Sequence, residues 1–540
     1  MSTLLIKKGN VYDGTGLEPV TADIYAEDGF IREVGPDIKK QADMEIEAMG
    51  LAVTPGFVDI HRHCDKSPFD KATGNSNYGE VLLRQGITTV VTGNCGISMY
   101  PVNPDPVVQK ETRDYYGPVL GEYERYSDIT DYRSYMERMK RCRLPVNTAA
   151  MIGMGSVRIA VRGFLKGPLL PNERLQCKEI IEEALKMGAP GVSVGLMYLP
   201  EIYEMPEELG EILKPLGKYD RILTAHIRGE GDSLVKSVKE AIEIAERAGC
   251  RLEISHFKSC GLINWGKEIF RAMGVIEKAQ REGIKVSCDF YPYDCGSTTL
   301  MSLIPPQFIS GNLFGALEKM KTEEGKRLLR RMLQNTYEDW DNYVISLGWD
   351  KAVISSVSKK ENQWKIGKNL CEIAARSGFA DEVEAMADLL TTENGAVAMT
   401  IHSMEQSDID AIAKLPYSCV ISDAIYAKTD RPHPRMYGAF PHFLQEYAVK
   451  RDVMTIQEAV AKMTAIPAMR MKLRRGMIKE GYPCDLNIFS PNEFQSKATY
   501  TASAQYAMGL RYCIINGTIA VKNDVILNQT SGSLLFSSFP

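Results

Sequence analysis

The stretch VTPGFVDIHRHCD, residues 53–65, decides how the rest of the chain is read. A short apolar run follows Pro55 and Gly56 and ends on two histidines, His61 and His63. Side chains alternate across a strand, so positions i and i+2 face the same way. Two imidazoles on one side of a strand's C-terminal end make a ready pair of metal ligands. Taken alone, His-x-His is equally a strand end with two half-exposed histidines. The chain has only 7 histidines, however, and two more also close strand-like runs.

Such runs recur at 56–60, 87–93, 147–153, 191–195, 221–225, 251–255, 284–289 and 417–422. Helical patterns lie between several of them. In CKEIIEEALKMG the apolar positions are Ile180, Ile181, Ala184, Leu185 and Met187, and LVKSVKEAIEIAERAG stops at a glycine. About eight buried strands alternating with helices predict an α/β fold, a (β/α)8 TIM-like barrel over residues 55–474. The third unit is the least marked. A charged helical stretch at about 300–390 is too long for a barrel loop. It reads as a helical insertion before the last barrel strand, placed to act as a lid.

Both chain ends differ from this middle. LLIKKGNVYDG, DIYAEDGFIREVG and MEIEAMGLAVTPG at the start, and CDLNIFSP, YCIINGTIAV and NDVILNQ at the end, alternate apolar residues with Asp-Gly and Gly-Asn turns. They predict one small β-sandwich-like domain built from 1–54 and 475–540.

The 540 residues carry 44% hydrophobic and 25% charged residues, an ordinary soluble balance. A net charge of -5 gives no electrostatic reason to expect nucleic acid or an anionic membrane as partner. The N-terminus MSTLLIKKGN lacks a signal-peptide core, and no apolar run approaches the ~18 residues of a membrane span. The 12 cysteines are scattered and form no CxxC pair, which fits reduced thiols in a cytoplasm. A small-molecule substrate is the expected partner. A barrel of this size is compatible with a homo-oligomer, though no segment marks the interface.

In a parallel barrel, chemistry gathers at the C-terminal strand ends. The first ends on His61 and His63; the second runs into TGNCG with Cys95. The fifth ends at His226, the sixth at His256 and the eighth at Asp423. A thiolate, imidazoles and a carboxylate suit Zn²⁺, and six ligands suffice for two metals or for one and a partial site. Each residue singly is explained as well by a structural polar role; five strand ends converging is not. His402 fits no ligand pattern, His442 reads as structural, and His433 as a loop-shaping residue. Arg435, a dozen residues past Asp423, is placed to clamp a substrate carboxylate through its two-pronged geometry. Lys258 and Tyr198 are further substrate-facing candidates. YPYDCGST, after the seventh strand, adds polar groups, Ser297 among them, whose roles spacing leaves open.

The run PGFVDIHRH, GITTVVTGNCGIS, GVSVGLMYLP, HIRGEGD, ISHFK, DFYPYDCGST and ISDA…HPR…GAFP resembles the N-acyl-D-amino-acid deacylases of the amidohydrolase superfamily. The likeness spans residues ~3 to ~535; GNCGIS and HIRxEGD mark this branch, whereas His-x-His marks only the superfamily. The resemblance implies one tightly held zinc on Cys95, His226 and His256. It implies a weaker second position on His61, His63 and Asp423, with Cys95 able to bridge. Asp423 would be the catalytic acid–base of metal-assisted amide hydrolysis. Arg435, helped by Tyr198 and Lys258, would bind the substrate's α-carboxylate. D-specificity rests on the resemblance alone. No lysine occupies GVSVGLMY, which argues against lysine-bridged hydantoinases and dihydroorotases.

The chain also departs from the pattern. His61-Arg62-His63-Cys64-Asp65 replaces His-Thr-His-Asp-Asp, Gly229 stands where aspartate is common, and Phe257 where a second histidine is common. Strand alternation predicts that Arg62 points away from the metal. Other readings stay open: hydrolysis of a dipeptide or cyclic amide, deamination of a heterocycle, or a scaffold that has lost activity.

Overall fold

The parallel strands at the heart of the protein are buried along nearly their whole length, on both faces. The computed structural model describes residues 2–69, 77–121, 126, 128–310, 312–426, 429 and 431–537. In chain order the strands are β1 (Thr3–Val11), β2 (Val20–Glu27), β3 (Phe30–Gly35), β4 (Met44–Glu47), β5 (Ala52–Pro55), β6 (Phe57–Asp59), β7 (Ile87–Thr92) and β8 (Asn147–Ala150). There follow β9 (Ile152–Gly153), β10 (Gly191–Gly195), β11 (Ile222–His226), β12 (Arg251–Ile254), β13 (Val286–Phe290), β14 (Cys295–Thr299), β15 (Ala352–Ser356), β16 (Ala398–His402) and β17 (Ser418–Val420). The last are β18 (Leu486–Phe489), β19 (Leu510–Ile515), β20 (Thr518–Lys522) and β21 (Val525–Ile526).

The architecture is α/β with parallel sheets. One has the order β6-β7-β8, the other β17-β13-β12-β11-β10-β9. The two meet at both seams, through chain continuity from β8 into β9 at one and through hydrogen bonds at the other. Met151, between β8 and β9, donates its N–H to Thr92 O at 3.0 Å. At the other seam Arg62 and Ala424 form a parallel bridge, Asp423 N–H donates to His61 O at 2.9 Å, and His63 N–H to Ala424 O at 3.0 Å. The ends of the first and last parallel strands therefore lie side by side. Every strand expected in this region forms, the third broken at Met151 into β8 and β9. The two expected helices are Pro171–Lys186 and Leu234–Ala248, the second closed by Gly249 at φ 65°.

Both chain ends join one nine-stranded sheet through antiparallel pairing of β5 with β18. Between β13 and β17 the chain is not only helical, as the charge pattern suggested. Helices such as Glu323–Leu333 and Glu382–Thr392 accompany a three-stranded antiparallel sheet, β14-β16-β15. Its strands are only five residues long, too short for alternation to set them apart from the helical runs around them. Among the described residues no helix is long and apolar enough to cross a membrane.

Candidate metal centre and active site

His61 and His63 follow β6, Cys95 follows β7, His226 ends β11, His256 follows β12 and Asp423 follows β17. Three of these hold left-handed backbone: Cys95 at φ 54°, His256 at φ 37° and Asp423 at φ 48°. Such residues cost ~1 kcal/mol or more each and persist where the surroundings fix them, typically at functional sites. The turn turns each side chain inward just past its strand. Gly195 makes room for the second of these loops, since a Cβ there would lie 2.2 Å from Cys95 O.

The side chains converge. His61 Nε2 lies 3.2 Å from Cys95 Sγ, and His256 Nε2 lies 3.6 Å from the same sulfur. Asp423 Oδ1 is 3.4 Å from His61 Nε2 and 3.5 Å from His63 Nε2. The His226 and His256 rings meet edge to face at 4.3 Å. Ligand atoms of His61, His63 and Cys95 lie within 4.8 Å of one another, and so do those of Cys95, His226 and His256. Two triplets thus share one sulfur. Both ring nitrogens of His226 are buried and have no hydrogen-bond partner among the described residues. A buried polar atom left in that state is costly unless something else binds it, so this donor set fits a zinc-class ion.

The electrostatics agree. Burial pushes the Cys95 thiol up, but the charge of His61 and the imidazoles around it outweigh burial and hold it well below its ordinary value. Burial likewise raises the Asp423 carboxyl, yet the Arg435 guanidinium, then His63 and His61, hold it well below the carboxylate range. Asp423 is therefore ionised near neutral pH, and the surroundings of Cys95 favour its thiolate.

Behind this shell stand groups that the sequence reading did not single out. Glu230 Oε1 lies 2.9 Å from His256 Nδ1, and Lys258 bonds the same carboxylate. Were a metal held at Nε2, Nδ1 would carry the proton and donate it to Glu230, the carboxylate–histidine–metal arrangement that fixes tautomer and ring. Asp289 Oδ2 stands 3.6 Å from His61 Nδ1 in a looser version of the same role. Glu230 sits inside HIRGEGD and Asp289 at the end of the seventh strand; strand-end position was the available signal. Asp341, from the segment between β14 and β15, accepts from the N–H groups of Glu230 and Gly231 at 2.7 Å and of Ser233 at 3.1 Å. No local pattern could have found it.

The substrate-facing candidates divide. Lys258, Tyr198 and Ser297 line a cavity together with His63, Cys95, His226, His256 and Asp423. The Tyr198 ring lies 4.6 Å from that of His226, and its hydroxyl is 3.1 Å from Thr298 Oγ1. Arg435 does reach back over the site, but it is 1% exposed and lies behind Asp423. Its Nη1 is 2.8 Å from Asp423 Oδ2, its Nη2 donates to Ser297 O at 3.3 Å, and its guanidinium covers the Tyr291 ring at 4.5 Å.

The departures also resolve. Arg62 is fully buried and donates to Tyr426 Oη at 2.8 Å, Ser422 Oγ at 3.0 Å and Met436 O at 3.0 Å, away from the ligands. Cys64 packs in the hydrophobic core, and burial pushes its thiol up to about 12. A Cβ on Gly229 would lie 1.8 Å from Ser233 Oγ and 2.7 Å from Asp341 Oδ2, so Asp341 and Ser233 fill the space a side chain there would need.

With this geometry in view, the comparisons are specific. The profile of the amidohydrolase family matches residues 419–521. The D-aminoacylase of Alcaligenes xylosoxydans xylosoxydans is 28% identical over 534 residues, covering 98% of this chain and 97% of that protein. The N-acyl-D-glutamate deacylase of the same organism is 29% identical over 515 residues, covering 95% and 92%. The solved N-acyl-D-glutamate deacylase of Bordetella bronchiseptica, complexed with zinc and a phosphonate inhibitor, superposes with a TM-score of 0.81 at 27% identity and 99% coverage of both chains. Over nearly its whole length the chain is similar to N-acyl-D-amino-acid deacylases of the amidohydrolase superfamily. A solved D-aminoacylase gives a TM-score of 0.80 at 26% identity. D-hydantoinase, at 14% identity and a TM-score of 0.57, shares the fold alone.

Proposed function

We propose that this chain hydrolyses the amide bond of N-acyl-D-amino acids, giving a carboxylate and a free D-amino acid. The observation that carries the reading is the single sulfur of Cys95 shared by two ligand triplets, with an anionic Asp423 beside both strand-one histidines. In this reading the two parallel sheets are the arcs of one (β/α)8 barrel over 55–474, and 1–54 with 475–540 form the small β-domain. Cys95, His226 and His256 would hold one zinc tightly. His61, His63 and Asp423 would offer a weaker second position. Bound zinc would supply Lewis acidity, lowering the pKa of water and polarising the acyl carbonyl.

The protein's own groups do the rest. Asp423, ionised and aligned by Arg435, takes a proton from the attacking water as its oxygen bonds the acyl carbon. It then hands that proton to the leaving nitrogen as the C–N bond breaks. Lys258 and Tyr198 meet the substrate's α-carboxylate at the cavity wall. Glu230 balances the charge of Lys258, so among the described residues the cavity offers no spare cation for an acidic side chain. Its remaining lining includes Ile97, Val119, Met197, Ile401 and Ile425, which suits apolar substituents.

The test is amine release from matched N-acetyl-D- and N-acetyl-L-amino acids. Turnover of the D series alone is expected, with kcat/KM for N-acetyl-D-leucine at least about tenfold above that for N-acetyl-D-glutamate. Equal rates for both hands, or no amine released, would overturn the assignment.

A further inference from the structure

Outside the active centre, Asp294, Cys295 and His402 also place ligand atoms within 4.8 Å of one another. Cys295 opens β14 and His402 closes β16, and the antiparallel register sets the two directly opposite each other. Cys295 Sγ lies 3.0 Å from His402 Nδ1, and Asp294 Oδ2 lies 3.6 Å from His402 Nε2. The donors are also held in place. Tyr500 donates its hydroxyl to Asp294 Oδ1 at 2.6 Å and accepts from Cys295 N–H at 3.3 Å, while His433 Nε2 approaches Cys295 O at 3.0 Å.

This cluster is distinct from the catalytic cavity. Ile401 and Ser403 line that cavity, so alternation turns His402, between them, to the other face. There His402 and Cys295 line a separate groove to which Lys351 and Arg431 also contribute.

We propose that Cys295, His402 and Asp294 form a second, peripheral site for a zinc-class divalent cation. A thiolate, an imidazole and a carboxylate are three zinc donors, which leaves the fourth position to water or to an anion from the cationic groove. Binding releases the thiol proton of Cys295 to solvent, as metal binding to cysteine requires. The site does not depend on which amide the active centre cuts.

The test uses the full-length, zinc-loaded protein freed of loose metal and titrated with Co²⁺. The wild type is expected to bind one Co²⁺ per chain more than Cys295→Ser, with thiolate-to-cobalt absorption in excess of whatever Cys295→Ser shows from the Cys95 centre. His402→Ala should bind that ion at least about tenfold more weakly, since losing even outer-shell partners costs this much. Neither residue belongs to the catalytic constellation, so both variants should keep amidase activity, which also reports that they fold. Should Cys295→Ser fail to fold, the half-exposed His402 ring makes His402→Ala the deciding comparison. Identical Co²⁺ uptake and spectra in wild type and the folded variants would overturn the proposal.

Discussion

Asp423 sits where three influences meet: the imidazoles of His61 and His63 on one oxygen and the guanidinium of Arg435 on the other. Replacing it with asparagine keeps the shape but removes the group that takes and returns the proton. Asp423→Asn should lower kcat by about 10²–10⁴ with Cys95-dependent zinc retained, measured by steady-state kinetics alongside metal content. An unchanged kcat would remove Asp423 from the proton path. That this residue and its five companions stood out beforehand follows from strand periodicity: each closes a strand-like run, and period 2 places His61 beside His63. Arg435 was nominated from its distance past Asp423, but its burial behind that carboxylate depends on the fold around Tyr291, which spacing cannot encode. Glu230 and Asp289 lay in view within quoted motifs; only the closeness of His256 and His61 gives them a role.

Elements outside the parallel sheets hold the site in shape. Asp341 takes three backbone N–H groups of the loop that follows His226, and Ser233 Oγ donates to it at 2.9 Å. Asp341→Ala strands those buried donors, at a cost of about 3 kcal/mol or more. It should lower kcat/KM by loosening Glu230 behind His256; thermal melting and kinetics on the same variant check both. A second element, the helix Ile456–Met463, is tied to the last parallel strand by Lys462, which donates to Leu415 O at 2.5 Å and to Ser418 Oγ at 3.0 Å. Burial lowers this amine from 10.5 to about 8. Between those values the unfolded chain binds more protons than the folded one, so stability rises with pH there. Against Lys462→Met, the wild type should gain urea resistance between pH 8 and 10.5, and a pH-independent difference would contradict the burial argument. Neither contact could be read from local pattern. Asp341 lies 111 residues from Glu230 in the chain, and His402 reaches Cys295 only through the register of β14 with β16.

Both chain ends are hydrogen-bonded to the central parallel sheets. β5 runs directly into β6, so the sheet of the termini leads straight to His61 and His63. Asp485 receives Asn147 Nδ2 at 3.1 Å and also pairs with Arg475, while Asn487 Nδ2 donates to Gly86 O at 2.8 Å. The final residues add to this: Thr148 N–H donates to Ser533 O at 2.9 Å and Leu535 N–H to Thr148 O at 2.8 Å. The alternation at the two ends showed strands early, and their union in one sheet follows from β5 pairing with β18. What the whole molecule delivers is a buried cluster of donors suited to a metal ion. The most direct test strips the protein with a chelator and follows D-amino-acid release as zinc is returned. The account predicts an inactive stripped chain whose activity rises with zinc and levels off near one ion per chain, and which Cys95→Ala does not recover. A zinc-free chain that still releases the D-amino acid at the full rate would contradict it.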